Sequence, residues 1–196
     1  ILSLKEFIRL NESTALKEIF VLIFPEFENL KRLDRLKKIC DNLNLSISLL
    51  LAALLIDEKN THEYFGHKYN VSNLIKDNLN LFAKNLKKIR EGKSFFDKDL
   101  EKNIYFNDKN HLINLNILNF VLNTKIKLQD FSKILKNILN SKTHKFKIDG
   151  KFLMDNGMQQ GALMGKVLNK VEEEWIRNNF KITKDKIKEI IQTYSN

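Results

Sequence analysis

A chain of 196 residues, 43% of them apolar, can bury one medium core or two small ones that share an interface. Six Gly and a single Pro exclude collagen-like and Pro-rich chains, and most sandwiches and barrels, whose many turns need both residues. The lone Cys40 excludes a disulfide framework and a Cys-based zinc site and suits a reducing cytoplasm. The longest apolar run, residues 45–56, contains two Ser and is too short to cross a bilayer. No signal-peptide pattern is present, and the start at Ile1 reads as a piece of something longer.

The apolar spacing is helical almost throughout, so the expected fold class is all-α. Ser13 can cap a helix that runs to Phe24 and is stopped by Pro25. Leu30, Leu33, Leu36 and Ile39 repeat at helical spacing over 28–41, with Cys40 on the apolar side as a small core or half-buried residue. Ser46 opens 47–56, apolar on nearly every face and so a central buried helix. Ser72 opens a long helix with Ile75, Leu79, Phe82, Leu86 and Ile89 on one stripe, ended by Gly92. Further helices are expected at 98–106, 111–123 and 128–140. After 145 the character changes: Gly150, Gly157, Gly161, Gly165 and all three Met crowd ahead of Trp175. A helix from about Gly161 would put Met164, Val167, Leu168, Val171 and Trp175 on one face. Gly and Met there are also what a tightly packed small helical subdomain uses.

The net charge of +10 is unevenly placed. Residues 1–83 sum to zero, whereas 84–93 carry +4 and 125–147 carry +6. The first island holds Lys84, Lys87, Lys88, Arg90 and Lys93; the second includes Lys136, Lys142, Lys145 and Lys147. Clustered cations are the footprint of a polyanion. A solvated lysine-rich face and an anionic membrane surface leave the same mark, so charge alone keeps three readings open.

Three motifs imitate chemistry. Gly92-Lys93-Ser94 ends like a phosphate-binding loop, but the earlier glycine of that motif is Lys87 and no strand precedes it. Asp97-Lys98-Asp99 has the spacing of a metal-binding carboxylate pair, without the Gly-Gly or Gly-Ser turn and strand that such pairs follow; Asp97 is expected to cap the next helix. His62 and His67 are five apart, which on a helix turns them about 140° away from each other. No metal site is therefore expected, and no catalytic triad or paired-carboxylate arrangement stands out.

The segment Gly150-Lys-Phe-Leu-Met-Asp-Asn-Gly157-Met-Gln-Gln-Gly161-Ala-Leu-Met-Gly165-Lys-Val-Leu168, followed by Glu174-Trp175-Ile176, resembles the tail of bacterial tRNA nucleotidyltransferases and poly(A) polymerases. The stretch Ala15 to Ile56, with Phe24-Pro25-Glu26 and Leu33-Asp34-Arg35-Leu36, resembles the end of the neck and start of the body in the same family. All four tail glycines are kept; Phe152 stands where the pattern has Asp, and Gln160 and Ala162 where it has Pro.

The resemblance implies a neck remnant at 1–25, a helical body at 26–145 and a helical tail at 146–196. It implies a parent enzyme that adds CCA to tRNA 3′ ends or poly(A) to RNA by two-metal phosphoryl transfer, with Mg²⁺ held by a head whose carboxylate pattern does not occur in these residues. Alone, this chain is then expected to be catalytically silent and to bind tRNA or other RNA, with a separate catalytic head as a second partner and no membrane. The expected RNA contacts are the two islands, the helix start at Gly161, Lys166 and Arg177. A helical interaction protein that no longer touches RNA is the alternative from another class.

Overall fold

A computed structural model describes residues 4–39, 45–92 and 94–195; Cys40 and Lys93, both singled out above, lie outside the described residues. The described residues form α-helices and no strand: α1 (Leu4–Glu12), α2 (Thr14–Ile23), α3 (Arg32–Lys37), α4 (Ile47–Leu55), α5 (Thr61–Lys68), α6 (Asn73–Glu91), α7 (Leu100–Leu122), α8 (Leu128–Asn140), α9 (Gly150–Asp155), α10 (Met164–Arg177) and α11 (Lys184–Ser195). The all-α class is thus established, and none of these helices is long and apolar enough to cross a membrane. The chain forms two compact units. One is Ile1–Leu100 with Asn107–Ser141, the other Glu101–Phe106 with Lys142–Asn196.

In the first unit, α2 begins where Ser13 accepts the Leu16 N–H, and α4 where Ser46 accepts the Leu49 N–H at 3.2 Å. Leu49, Leu50 and Ala52 to Leu55 are all buried, so α4 is the central helix its composition demands. The stripe of α6 buries Leu79, Phe82 and Leu86 but also Asn85, which apolar periodicity cannot foresee. Asn85 Nδ2 lies 3.0 Å from His111 Nε2; the amide nitrogen only donates, so the ring nitrogen accepts. Of the helix expected over 28–41, whose last two positions lie outside the described residues, the described part forms only α3, and Leu30 is buried in a turn ahead of it. Gly92 follows α6 with extended backbone (φ −123°, ψ 115°) and stops it without a left-handed cap. Asp97 is not the cap of the next helix either: Asp99 holds that position, and its carboxylate accepts a hydrogen bond from the Ser94 hydroxyl.

Two arginines on α3 tie the unit together. Arg32 Nη1 donates to the carbonyls of Ala53 (3.1 Å) and Ile56 (2.9 Å) at the end of α4. Arg35 donates from Nε to Phe120 O (2.9 Å) and from Nη2 to Asn123 O and Ile126 O (3.2 and 2.8 Å) at the end of α7, while lying 4.1 Å over the Phe120 ring. Beside them, the Pro25 turn buries Glu26, which accepts from Lys68 Nζ at 2.8 Å and Tyr69 OH at 3.1 Å. Burial raises the Glu26 pKa, but the hydrogen bonds from Lys68, the backbone and Tyr69 outweigh it and hold the carboxyl below its ordinary value.

The second unit has its own core of Leu153, Met158, Val167, Val171, Ile187, Ile190 and Ile191. Here α9 ends in a Schellman motif. Met158 N–H reaches Leu153 O, Gly157 N–H reaches Met154 O, and Gly157 sits at φ +96°. The apolar contact that accompanies the motif is present, since Leu153 and Met158 share the core. α10 ends the same way, with Asn179 at φ 52° and Phe180 N–H bonded to Trp175 O at 2.8 Å. Asp149 caps α9 by accepting from Phe152 N–H, so the helix start does not need an acid at 152, whose ring packs on the core instead.

The α7 helix breaks at Asp108 (φ 63°, ψ 166°), in line with the two helices expected at 98–106 and 111–123. Asp108 restarts the helix by accepting the His111 N–H at 2.8 Å.

Two outcomes test this architecture. Replacing Gly157 by Ala forces a side chain into positive φ and should lower stability by about 1–2 kcal/mol. A Cβ at Gly165 meets nothing within 4 Å, so Gly165→Ala should instead raise stability by about 0.5–1 kcal/mol, both read by urea denaturation. The second test is pH. Burial pulls His111 below its ordinary value, so its share of stability is present above pH 6.5 and falls as the pH drops from there toward its folded pKa. The depressed Glu26 pKa acts lower, from about its unfolded value of 4.5 downward. Urea midpoints should therefore decline in two stages on acidification, and Glu26→Gln should flatten only the lower one.

Candidate nucleic-acid interface

The two units divide the expected contacts between them. Lys84, Lys87, Lys88 and Arg90 are exposed on α6, and Lys136 is exposed on α8, all in the first unit. At 100° per residue, Lys84, Lys87 and Lys88 share one strip opposite the buried stripe. That strip is partly neutralised. Lys87 pairs with Glu91 at 3.9 Å, and Lys87 and Arg90 line a cleft of about 310 Å³ with Asp57 and Glu58. Asp57 is held as an anion there: burial raises its pKa, but hydrogen bonds from Thr61 and Lys59 lower it further than burial lifts it.

The second unit holds Lys142, Lys145, Lys147, Gly161, Lys166 and Arg177. Residues 142–149 are non-helical, and from 143 their exposure alternates: Thr143, Lys145, Lys147 and Asp149 are exposed, while His144, Phe146 and Ile148 are partly buried. Period-two burial sets alternate side chains on opposite sides of the chain, roughly 7 Å apart along each side. Lys142, Lys145, Lys147 and Lys166 are exposed, and no carboxylate among the described residues forms an ion pair with them.

Inward residues of this segment meet an aromatic cluster. His144 stacks on Phe180 at 3.8 Å and 9°, and its Nε2 lies 2.7 Å from Glu101 Oε2. Trp175 is ringed by Phe180 (4.9 Å), Phe146 (5.3 Å) and Tyr105 (5.5 Å). Tyr105 donates its hydroxyl to Glu172; burial and that hydrogen bond push its pKa up to about 12. Sequence periodicity missed this cluster, because Glu101–Phe106 joins the second unit across a long gap in the chain. The one available signal was the alternation from His144 to Ile148.

Two expected contacts change. α10 starts at Met164, not Gly161; Gly161 lies exposed in the preceding turn, where its carbonyl accepts the Met164 N–H. The phosphate seat expected at Gly161 is thus not a helix start. Arg177 pairs with Glu174 at 3.1 Å, and a cleft of about 430 Å³ nearby is lined by Glu174, Asn178, Lys181, Ile182, Thr183 and Lys186.

Among the described residues no three His, Cys, Asp or Glu side chains come together as a metal ion would need. His62 is buried and His67 exposed, so they face apart. The residues described do not fit the Mg²⁺ pair of the expected parent reaction. The chain matches none of the known family models, curated proteins or solved structures compared with it.

Removing the Tyr105 hydroxyl leaves the half-buried Glu172 without that donor. Tyr105→Phe should cost about 1.5–3 kcal/mol, the range for a hydrogen bond to a charged acceptor, in guanidinium denaturation followed by circular dichroism.

Proposed function

We propose that this chain binds RNA, and that it is the body and tail portion of a template-independent RNA nucleotidyltransferase that adds CCA to tRNA 3′ ends or poly(A) to RNA. The residues at Gly150–Leu168 and Ala15–Ile56 support the family; the alternating segment 142–149 supports the binding. It is the single observation that carries the reading: Lys145 and Lys147 stand outward on one edge, with Lys142 exposed just ahead, while the alternate residues anchor that edge to a packed aromatic cluster. Two cations fixed one repeat apart, with a third just ahead and none of them in an ion pair among the described residues, suit a phosphate backbone, which they read by spacing rather than by base. In this reading the catalytic head is a separate partner and supplies the Mg²⁺ and the chemistry; the chain described here supplies grip on tRNA.

One observation favours a helical protein-interaction role instead. α2 has no buried residue among its ten and exposes Leu16, Ile19, Leu22 and Ile23, all four by more than half of their surface.

Binding of the whole chain to tRNA at several salt concentrations separates the two. With about five phosphates neutralised, affinity should fall by two to three decades between 50 and 200 mM salt. Changing Lys142, Lys145 and Lys147 together to Glu should weaken binding far more than the same change at Lys17, Lys31 and Lys38. Equal losses would reduce the lysine edge to bulk charge, and no binding at low salt would favour the interaction role.

A further inference from the structure

We propose that Phe106 is a stacking platform for an unpaired nucleotide whose backbone runs along the Lys142–Lys147 edge. This rests on the RNA-binding reading and adds to it a substrate class: RNA with unstacked bases, beyond phosphate spacing alone.

Phe106 is 66% exposed, the greatest exposure of any Phe, Tyr or Trp among the described residues. An isolated exposed ring on a helix usually has no meaning, but this one is held and placed. Its ring lies 5.5 Å from Tyr105 at 75°, an edge-to-face contact that leaves a face free. Tyr105 is itself fixed by its bond to Glu172 and by packing at 5.5 Å on Trp175. The α7 residues that carry Phe106 and the lysine segment therefore pack on one aromatic cluster, and His144 ties them directly through Glu101 at 2.7 Å.

The separation is short. From the Phe106 ring to the His144 ring the path runs through centroid separations of 5.5, 5.9 and 3.8 Å by way of Tyr105 and Phe180. Even laid end to end, these are covered by about five stacked nucleotides at roughly 3.4 Å each. Lys145 follows His144 directly, so a strand with one base on Phe106 reaches the lysine edge within a few phosphates. Lys102 stands one helical turn before Phe106 on the same face of the helix. An aromatic face next to a row of cations is how single strands are gripped without sequence preference, whereas a base-paired strand has no free base to offer the ring.

The test compares two fluorescein-labelled probes with the whole chain at low salt: a single-stranded oligoadenylate and a blunt-ended RNA hairpin of similar length. Phe106→Ala should weaken the single strand by about 5- to 150-fold, the effect of losing one stacked base, while changing hairpin affinity less than twofold. Phe106→Tyr should retain binding, and Phe106→Leu, apolar but without a π face, should behave as Ala. An unchanged thermal midpoint in each variant keeps folding out of the comparison. Equal loss for both probes, or no loss for either, overturns the platform while leaving RNA binding intact. If the unaltered chain binds neither probe, the RNA-binding reading itself falls.

Discussion

An all-α chain leaves carbonyls unsatisfied at the end of every helix, and in this protein the way those ends are closed governs both fold and surface. In the first unit cations close three of the helices. Arg32 closes α4, Arg35 closes α7, and Lys109 Nζ reaches Leu139 O at 2.8 Å to close α8. Both arginines come from the six residues of α3, so one short helix fixes where two core helices stop. In the second unit the backbone closes itself, through left-handed residues at Gly157 and Asn179. One helix of the first unit, α5, also closes this way, at Asn70, with Val71 N–H bonded to Gly66 O.

That difference sorts the positive charge. Arg32, Arg35 and Lys109 hold carbonyls, and Lys68 holds Glu26; their charge belongs to the fold. Arg177, Lys170 and Lys186 pair with acids within one turn of their own helices. What remains for a ligand is a smaller set than the net charge suggests, and its most regular part is the edge from Lys142 to Lys147. The first island is the weaker of the two, because Lys87 and Arg90 share their cleft with Asp57 and Glu58.

Much of the helical layout was legible because its signals are local. Ser13 and Ser46 accept the N–H groups their positions promise, α8 spans the expected 128–140, and the break in α7 falls in the expected gap. The misreading at Leu30 has a simple cause: helical spacing does not distinguish a helix from a turn that buries the same side. Gly161, exposed in its turn, reads as a helix start only because the apolar face of α10 follows it closely. Left-handed Asn residues were missed because Asn is common throughout the chain and only backbone conformation marks the few that end helices. For the site, charge clustering found the lysines, but it could not show which ones acids neutralise. Nor could it show that Glu101–Phe106 packs with residues 43 to 70 positions later, since that pairing is carried by Glu101 with His144 and by Tyr105 with Trp175.

The placement of Trp175 has an optical consequence. It is the only tryptophan in the chain, and it lies within the second unit, in contact with Tyr105, Phe146 and Phe180. Intrinsic emission excited at the red edge of the spectrum therefore watches one unit alone, whereas helical ellipticity draws on both. The gap between those two signals along a single melt is a direct measure of cooperativity between the units, and it requires neither label nor mutation.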